Sequence, residues 1–146
     1  MAAFSDYLEN KLIDQIFRGQ AYSFPGTLYF GLLTAAPSDT GGGTEVSGGS
    51  YARVSVTASM ANFAGTQAAG STTASSGTSG TTSNNNNITF PSPTGSWGVV
   101  SYVGVYDAST SGNLLAYGAL TTPKTVNSGD APPVFEPEAF QFQIDN

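Results

Sequence analysis

The chain has 146 residues, which is enough for one domain with a single modest core. Only 10% of its residues are charged, the net charge is −6, and the cations are Lys11, Arg18, Arg53 and Lys124. Binding to nucleic acid requires a basic patch that neutralises phosphates, and anionic membranes attract basic segments, so this composition argues against both partners.

The sequence contains neither cysteine nor histidine. It therefore has no disulfide framework, no thiolate or imidazole metal ligand, and no nucleophile paired with a histidine base. We expect a protein that is not an enzyme and needs no cofactor. The first residues lack the basic and apolar regions of a signal peptide, and no apolar run approaches the length of a membrane helix.

The chain begins with a predicted helix over residues 3–18. Ser5 is a suitable N-cap, Asp14 and Arg18 are spaced as an i,i+4 pair, and Gly19 stands where a glycine ends a helix. The apolar stripe of this helix consists of Phe4, Leu8, Leu12, Ile13, Ile16 and Phe17. We expect the stripe to pack on the sheet of its own domain, and docking on a partner is the alternative.

The segment after Pro25 changes to the period of a strand. Residues 27–34 are apolar on both sides of the pleat, which is typical of a strand covered on both faces. The covers could be the helix, a second sheet or a neighbouring subunit. Residues 35–50 form a glycine-rich loop, and residues 51–58 alternate as a half-buried strand, with Val54 and Val56 on one face and Arg53 on the other.

Residues 65–87 are a low-complexity segment of glycine, serine, threonine, alanine and asparagine. Nothing in this segment is able to fill a core, so we expect a flexible loop that a partner surface would order. The next predicted strand begins at Ile88 and is interrupted by Pro91.

The second half of the chain predicts a hairpin and a last strand. In residues 97–106, Trp97, Val99, Val103 and Val105 share one face, and Val100, Tyr102 and Tyr106 share the other. Residues 107–113 are a turn, residues 114–120 return, and residues 123–130 add a short strand and a turn. Phe140, Phe142 and Ile144 then alternate with Gln141, Gln143 and Asp145.

These elements predict a mainly β fold in a single domain over residues 1–146. The expected architecture is an antiparallel β-sandwich or barrel-like domain with one N-terminal α-helix.

Two features could carry chemistry or ligand binding. The carboxylate pairs Asp39 with Glu45 and Glu136 with Glu138 could serve acid–base catalysis, but solvated loop charges are favoured for both. Trp97 could stack on a sugar ring, although a core or interface anchor is favoured. We therefore predict no catalytic residue and no metal ligand.

Several strings resemble a family of small structural proteins of tailed-phage virions, which are often called tail fibre proteins. They are residues 8–12 (LENKL), 16–19 (IFRG), 27–32 (TLYFGL), 48–53 (GGSYAR), 88–91 (ITFP), 103–107 (VGVYD) and 118–120 (GAL). The resemblance covers most of the chain. It implies a virion protein that associates with other virion proteins.

Long fibres are built from coiled coils or other repeats, and this sequence has none. A globule about 30–40 Å across suits a capsid cement, or decoration, protein that binds over the joints between major capsid subunits, as a homotrimer on the capsid surface. The alternatives are a tail fibre or baseplate component for host attachment and a carbohydrate-binding module. The predicted partner contacts are Phe4, Leu8, Tyr29, Phe30, Glu45, Tyr51, Arg53 and Trp97, together with the 41–50 loop and residues 65–87.

Overall fold

A computed structural model describes residues 3–144, so the predicted position of Asp145 in the last strand lies outside the described residues. The elements in chain order are β1 (Ala3–Phe4), α1 (Asp6–Phe17), β2 (Thr27–Ala35), β3 (Thr44–Glu45), β4 (Val54–Thr57), β5 (Thr81–Ser83), β6 (Ile88–Thr89), β7 (Gly98–Tyr106), β8 (Leu114–Val126), β9 (Val134–Phe135) and β10 (Gln141–Gln143). The prediction of one helix near the N-terminus followed by antiparallel strands is confirmed.

The strands form one large antiparallel sheet and two small pairs. The large sheet has six strands in the order β1–β8–β7–β2–β3, with β4 also pairing with β2. The small pairs are β5 with β10 and β6 with β9. Residues around these pairs, including Ile88, Phe90 and Phe140, join Phe30 of the large sheet and Trp97, which directly precedes β7, in one buried cluster. The described strands therefore form layers around one core and do not close into a barrel.

β2 is the central strand, and the prediction that both its faces are covered is confirmed. Phe30, Gly31, Leu32 and Leu33 are all buried, although neighbouring side chains in a strand point to opposite faces. A Cβ on Gly31 would lie 2.8 Å from Oε1 of Glu45, so only glycine fits below that carboxylate. The second cover thus comes from side chains of the same sheet, and the helix does not supply it.

The face assignment in β7 is wrong because the pairing of β7 with β8 is irregular: between two paired positions β7 has one residue, Ser101, and β8 has four, residues 120–123. The register with β8 shifts between Val100 and Tyr102, so strict alternation fails there. Val100 joins Val103 and Val105 in the core, whereas Val99, which was assigned to that face, is 49% exposed. The predicted hairpin is confirmed, but its returning strand β8 continues through the segment predicted as a separate strand at Pro123.

The helix begins three residues later than predicted. Ala3 and Phe4 are extended and pair with Tyr117 and Ala116 of β8, and Ser5 is the N-cap, as its side chain accepts a hydrogen bond from the backbone of Leu8. At the other end Gly19 adopts a φ of +67°, the left-handed conformation that favours glycine.

The low-complexity segment is ordered by hydrogen bonds within the chain. Gln67 Nε2 donates to Ser71 Oγ at 2.7 Å and to Thr73 Oγ1 at 2.8 Å, and Gln67 Oε1 accepts from the backbone of Ser76 at 3.2 Å. The end of the predicted loop becomes strand β5, and Asn84 is 1% exposed. Amide side chains thus make contacts within the segment in place of apolar ones, and the expectation that the free loop is flexible and is ordered by a partner stays a prediction.

Candidate interaction surface

The C-terminal half of α1 carries an exposed apolar patch. Ile13 is 50% exposed, Ile16 66% and Phe17 81%, and Phe24 in the following loop is 56% exposed. We call these four residues the helix patch. No residue of α1 is buried, so the expectation that its whole stripe packs on the domain's own sheet is wrong. Only Leu8 and Leu12 of the stripe's helical residues are half-buried, on the inner side of the helix.

The helix is anchored to the sheet by hydrogen bonds at its N-terminus. Ser5 is 1% exposed, its backbone N–H donates to Leu115 O at 2.9 Å, and its hydroxyl donates to the carbonyl of Leu114. The N–H of Asp6 donates to Asp39 O at 2.8 Å. These bonds fix the first turn of the helix on β8 and on the loop that contains Asp39. The exposed apolar side chains lie in the later turns.

Aromatic rings extend the surface beside the helix patch. Tyr22 packs edge-on against Phe24 with ring centroids 4.8 Å apart and against Tyr7 at 6.3 Å. The backbone N–H of Tyr22 donates to Gln15 Oε1 at 2.7 Å, which holds the loop against the helix. The sequence analysis did not predict Tyr22 and Phe24 as surface residues. Two aromatic residues next to Pro25 in an otherwise polar loop were the signal that could have indicated this.

Glu45, Tyr51 and Arg53 were predicted as contacts, and the structure brings them together. Arg53 makes a bidentate ion pair with Glu45, Nε to Oε1 at 2.8 Å and Nη2 to Oε2 at 2.7 Å. The Tyr51 hydroxyl also donates to Glu45 Oε1 at 2.8 Å. Arg53 Nη1 donates to the carbonyls of Ala108 and Ser111, and the guanidinium lies 3.5 Å from the ring centroid of Tyr106. We call these three residues together with Tyr106 the Arg53 cluster.

The charged and polar groups of the Arg53 cluster are paired with one another, as is typical of a group that stabilises the fold. Burial raises the pKa of the Tyr51 and Tyr106 phenols, and the nearby charge of Glu45 adds to both shifts. Burial acts to lower the pKa of Arg53, but the hydrogen bonds and charge of Glu45 outweigh it, so that pKa is raised. The cluster is thus locked as an ion pair that ties the hairpin turn to β3, and the Arg53 side chain is only 7% exposed.

The other predicted contacts are divided between the core and its margin. Phe30 is 0% exposed and Trp97 4%, and Trp97 Nε1–H donates to Gly49 O at 2.9 Å. Both are core residues of this fold, so Trp97 offers no face on which a sugar ring could stack. Phe4 and Tyr29 are half-buried, and the ring of Phe4 lies 4.7 Å from that of Phe142.

The two carboxylates of the predicted pair Asp39 and Glu45 have different partners. Glu45 is held by Arg53, whereas Asp39 accepts a hydrogen bond from Tyr117, which together with burial raises the pKa of that phenol to about 12. Within residues 3–144 no three histidine, cysteine or acidic side chains form a group that could hold a metal ion. None of the described helices has the length and apolar character needed to cross a bilayer.

Comparison with known proteins identifies the family. A family model for the podophage GP4 fiber I protein gp80 matches residues 3–143. The chain belongs to this family, which confirms its resemblance to structural proteins of tailed phages. No curated protein matches the chain.

Proposed function

We propose that this member of the fiber I family is a non-enzymatic structural subunit of the virion, carried in a fibre and attached there to another virion protein. The family match over nearly the whole chain supports the fibre assignment. The sequence has no histidine and no cysteine, so no nucleophile is paired with a histidine base, which supports a non-enzymatic role. Such a molecule contributes surface for contacts with other virion proteins.

The helix patch is the observation that carries this proposal. Ile16 and Phe17 are the most exposed large apolar residues of the helix, at 66% and 81%. A short helix of 12 residues is marginal alone, and its stability comes from packing of its apolar face. Ile13, Ile16 and Phe17 have the i, i+3, i+4 spacing of one helix face, and large apolar side chains exposed together in this way are typical of a protein–protein contact. The attached partner would cover Ile13, Ile16, Phe17 and Phe24.

The test is incorporation of variants into virions. Ile16→Asp places a charge in the patch, and because the wild-type side chain is mostly exposed, the fold should be unchanged. We expect at least a tenfold drop in the amount of protein in purified particles when the variant complements a deletion, measured by immunoblot. Asn10→Asp is the matched control, since it adds the same charge on an exposed position of the same helix.

Ile16→Asp protein that melts like wild type and still enters particles at the wild-type level would exclude the helix patch as the attachment surface. Loss of both variants would point instead to a general effect of negative charge on the helix.

A capsid cement protein is the second candidate. It is favoured by the compact fold, whose described part contains one helix of 12 residues and no repeat that could lengthen a fibre. A cement protein acts by mass action, because it binds the assembled shell and not its separated subunits. Copy number separates the candidates: a fibre subunit is present in multiples of three or six up to a few dozen per particle, and a cement protein in hundreds.

A further inference from the structure

The end of α1 buries little surface. Residues 13–18 comprise the last turns of the helix and its C-cap, and five of these six residues are exposed. Leu8 and Leu12, the half-buried apolar residues on the inner side of the helix, precede this segment, and the anchoring hydrogen bonds of Ser5 and Asp6 lie at the other end. A helix of 12 residues is marginal without packing. The tertiary contacts of the first turns therefore give residues 13–18 little support.

The side-chain interactions that hold the end of the helix are themselves exposed. Asp14 and Arg18 form an ion pair at 3.2 Å with side chains 34% and 70% exposed, and such a pair contributes little to stability. Gln15 Oε1 accepts from the backbone N–H of Tyr22 at 2.7 Å at an exposed position, where water competes for both groups. The N–H groups of Arg18 and Gln20 donate to Asp14 O at 3.1 and 3.0 Å, and these local bonds break when the turn opens.

We propose that residues 13–18 unfold locally in the free protein and become fully helical when a partner covers the helix patch. The inference rests on the proposed function, because the covering partner is the virion protein to which this subunit attaches. Segments with few buried apolar contacts and exposed hydrogen bonds have the lowest local unfolding free energies of a protein. Ile13, Ile16 and Phe17 share one face only while the segment is helical. Attachment then selects the helical form, and the apparent affinity is reduced by the fraction of molecules that hold it.

Two substitutions of Gln15 test this coupling. The residue is exposed and lies outside the helix patch, and Gln15→Ala and Gln15→Gly both remove its hydrogen bond to Tyr22. The variants differ in helix propensity, since glycine lowers the helix–coil equilibrium constant about fivefold relative to alanine. Each purified variant is titrated onto particles of a phage that lacks the gene, and the bound amount is measured by immunoblot of the pelleted particles.

We expect Gln15→Gly to need at least a twofold higher concentration for half-saturation than Gln15→Ala, with the same urea midpoint for both. A segment that is stably helical in the free protein gives the opposite pattern, because the propensity difference then lowers the global stability of Gln15→Gly and leaves half-saturation equal. That pattern overturns the inference.

Amide hydrogen exchange measures the local unfolding directly. In the free protein we expect the amides of residues 16–18 to exchange within about tenfold of the rate of an unstructured peptide, and in particles at least tenfold more slowly. The amides of β7, which is paired on both sides, are the control and should be protected in both states. Protection of residues 16–18 equal to that of β7 in the free protein overturns the inference. It leaves the proposed function standing, which fails separately if Ile16→Asp protein enters particles at the wild-type level.

Discussion

At the scale of single residues, the Arg53 cluster is the strongest electrostatic feature of the molecule. Glu45→Gln keeps the shape of the side chain but leaves the guanidinium of Arg53, whose side chain is 7% exposed, without its counter-charge. Removing one partner of a fully buried ion pair costs about 3–5 kcal/mol, and because the Glu45 side chain is 27% exposed this cost falls to about 2 kcal/mol. We expect a loss of that size in the free energy of unfolding, measured by urea denaturation.

The second ion pair of the described residues serves as the control. Asp14 and Arg18 lie 3.2 Å apart on the surface of α1, with side chains 34% and 70% exposed. Exposed pairs contribute about 0–1 kcal/mol, so Asp14→Asn should change the unfolding free energy by less than about 0.5 kcal/mol. Equal effects of the two substitutions would contradict the structural role assigned to the Arg53 cluster.

The sequence predicted these residues better than it predicted their roles. Glu45, Tyr51 and Arg53 were predicted as partner contacts, and the structure joins them by hydrogen bonds. Their chain positions could not indicate whether the group faces a partner or locks a turn. That depends on residues 108–111, which contribute only carbonyl oxygens and carry no signal in their side chains.

At the scale of elements, the low-complexity segment depends on Gln67. Its amide makes hydrogen bonds at both ends, to the side chains of Ser71 and Thr73 and to the backbone of Ser76. Gln67→Ala should accelerate amide exchange of residues 66–77 at least tenfold, because these exposed bonds open locally without global unfolding. Thr72→Ala changes an exposed residue of the same segment and should leave its exchange unchanged. Unchanged exchange in Gln67→Ala would show that the backbone alone orders the segment.

The ends of the helix were predictable from capping residues, whereas strand details that depend on pairing with another strand were not. The N-cap Ser5 and the glycine at position 19 were predicted from local chemistry and are confirmed. The irregular pairing at Ser101 was missed, because it depends on the register with residues 120–123 of β8; Pro123, which has no N–H for a ladder hydrogen bond, was the available signal. The exposure of Ile13 and Ile16 was also missed, since an apolar stripe does not specify which surface covers it.

At the scale of the whole molecule, the fold class followed from composition and period, and the assembly did not. Short strands separated by turn residues predict an antiparallel domain around one core, and the six-stranded sheet confirms it. The surface of a partner cannot be read from the stripe of this helix, so the helix patch could not be assigned an occupant from this sequence. The fraction of charged residues is low, 10%, so few charged side chains are available for contacts with a partner.

Attachment through the helix patch should resist salt. The patch residues Ile13, Ile16, Phe17 and Phe24 are uncharged, and burial of apolar surface is not screened by ions. Raising the ionic strength from about 0.1 M to 1 M shortens the Debye length from about 10 Å to about 3 Å, which weakens contacts between exposed charges. We therefore expect the amount of this protein retained by pelleted virions to be the same at both salt concentrations, by immunoblot of pellet and supernatant. Release that increases with salt would mean that charged side chains, and not the helix patch, provide the attachment.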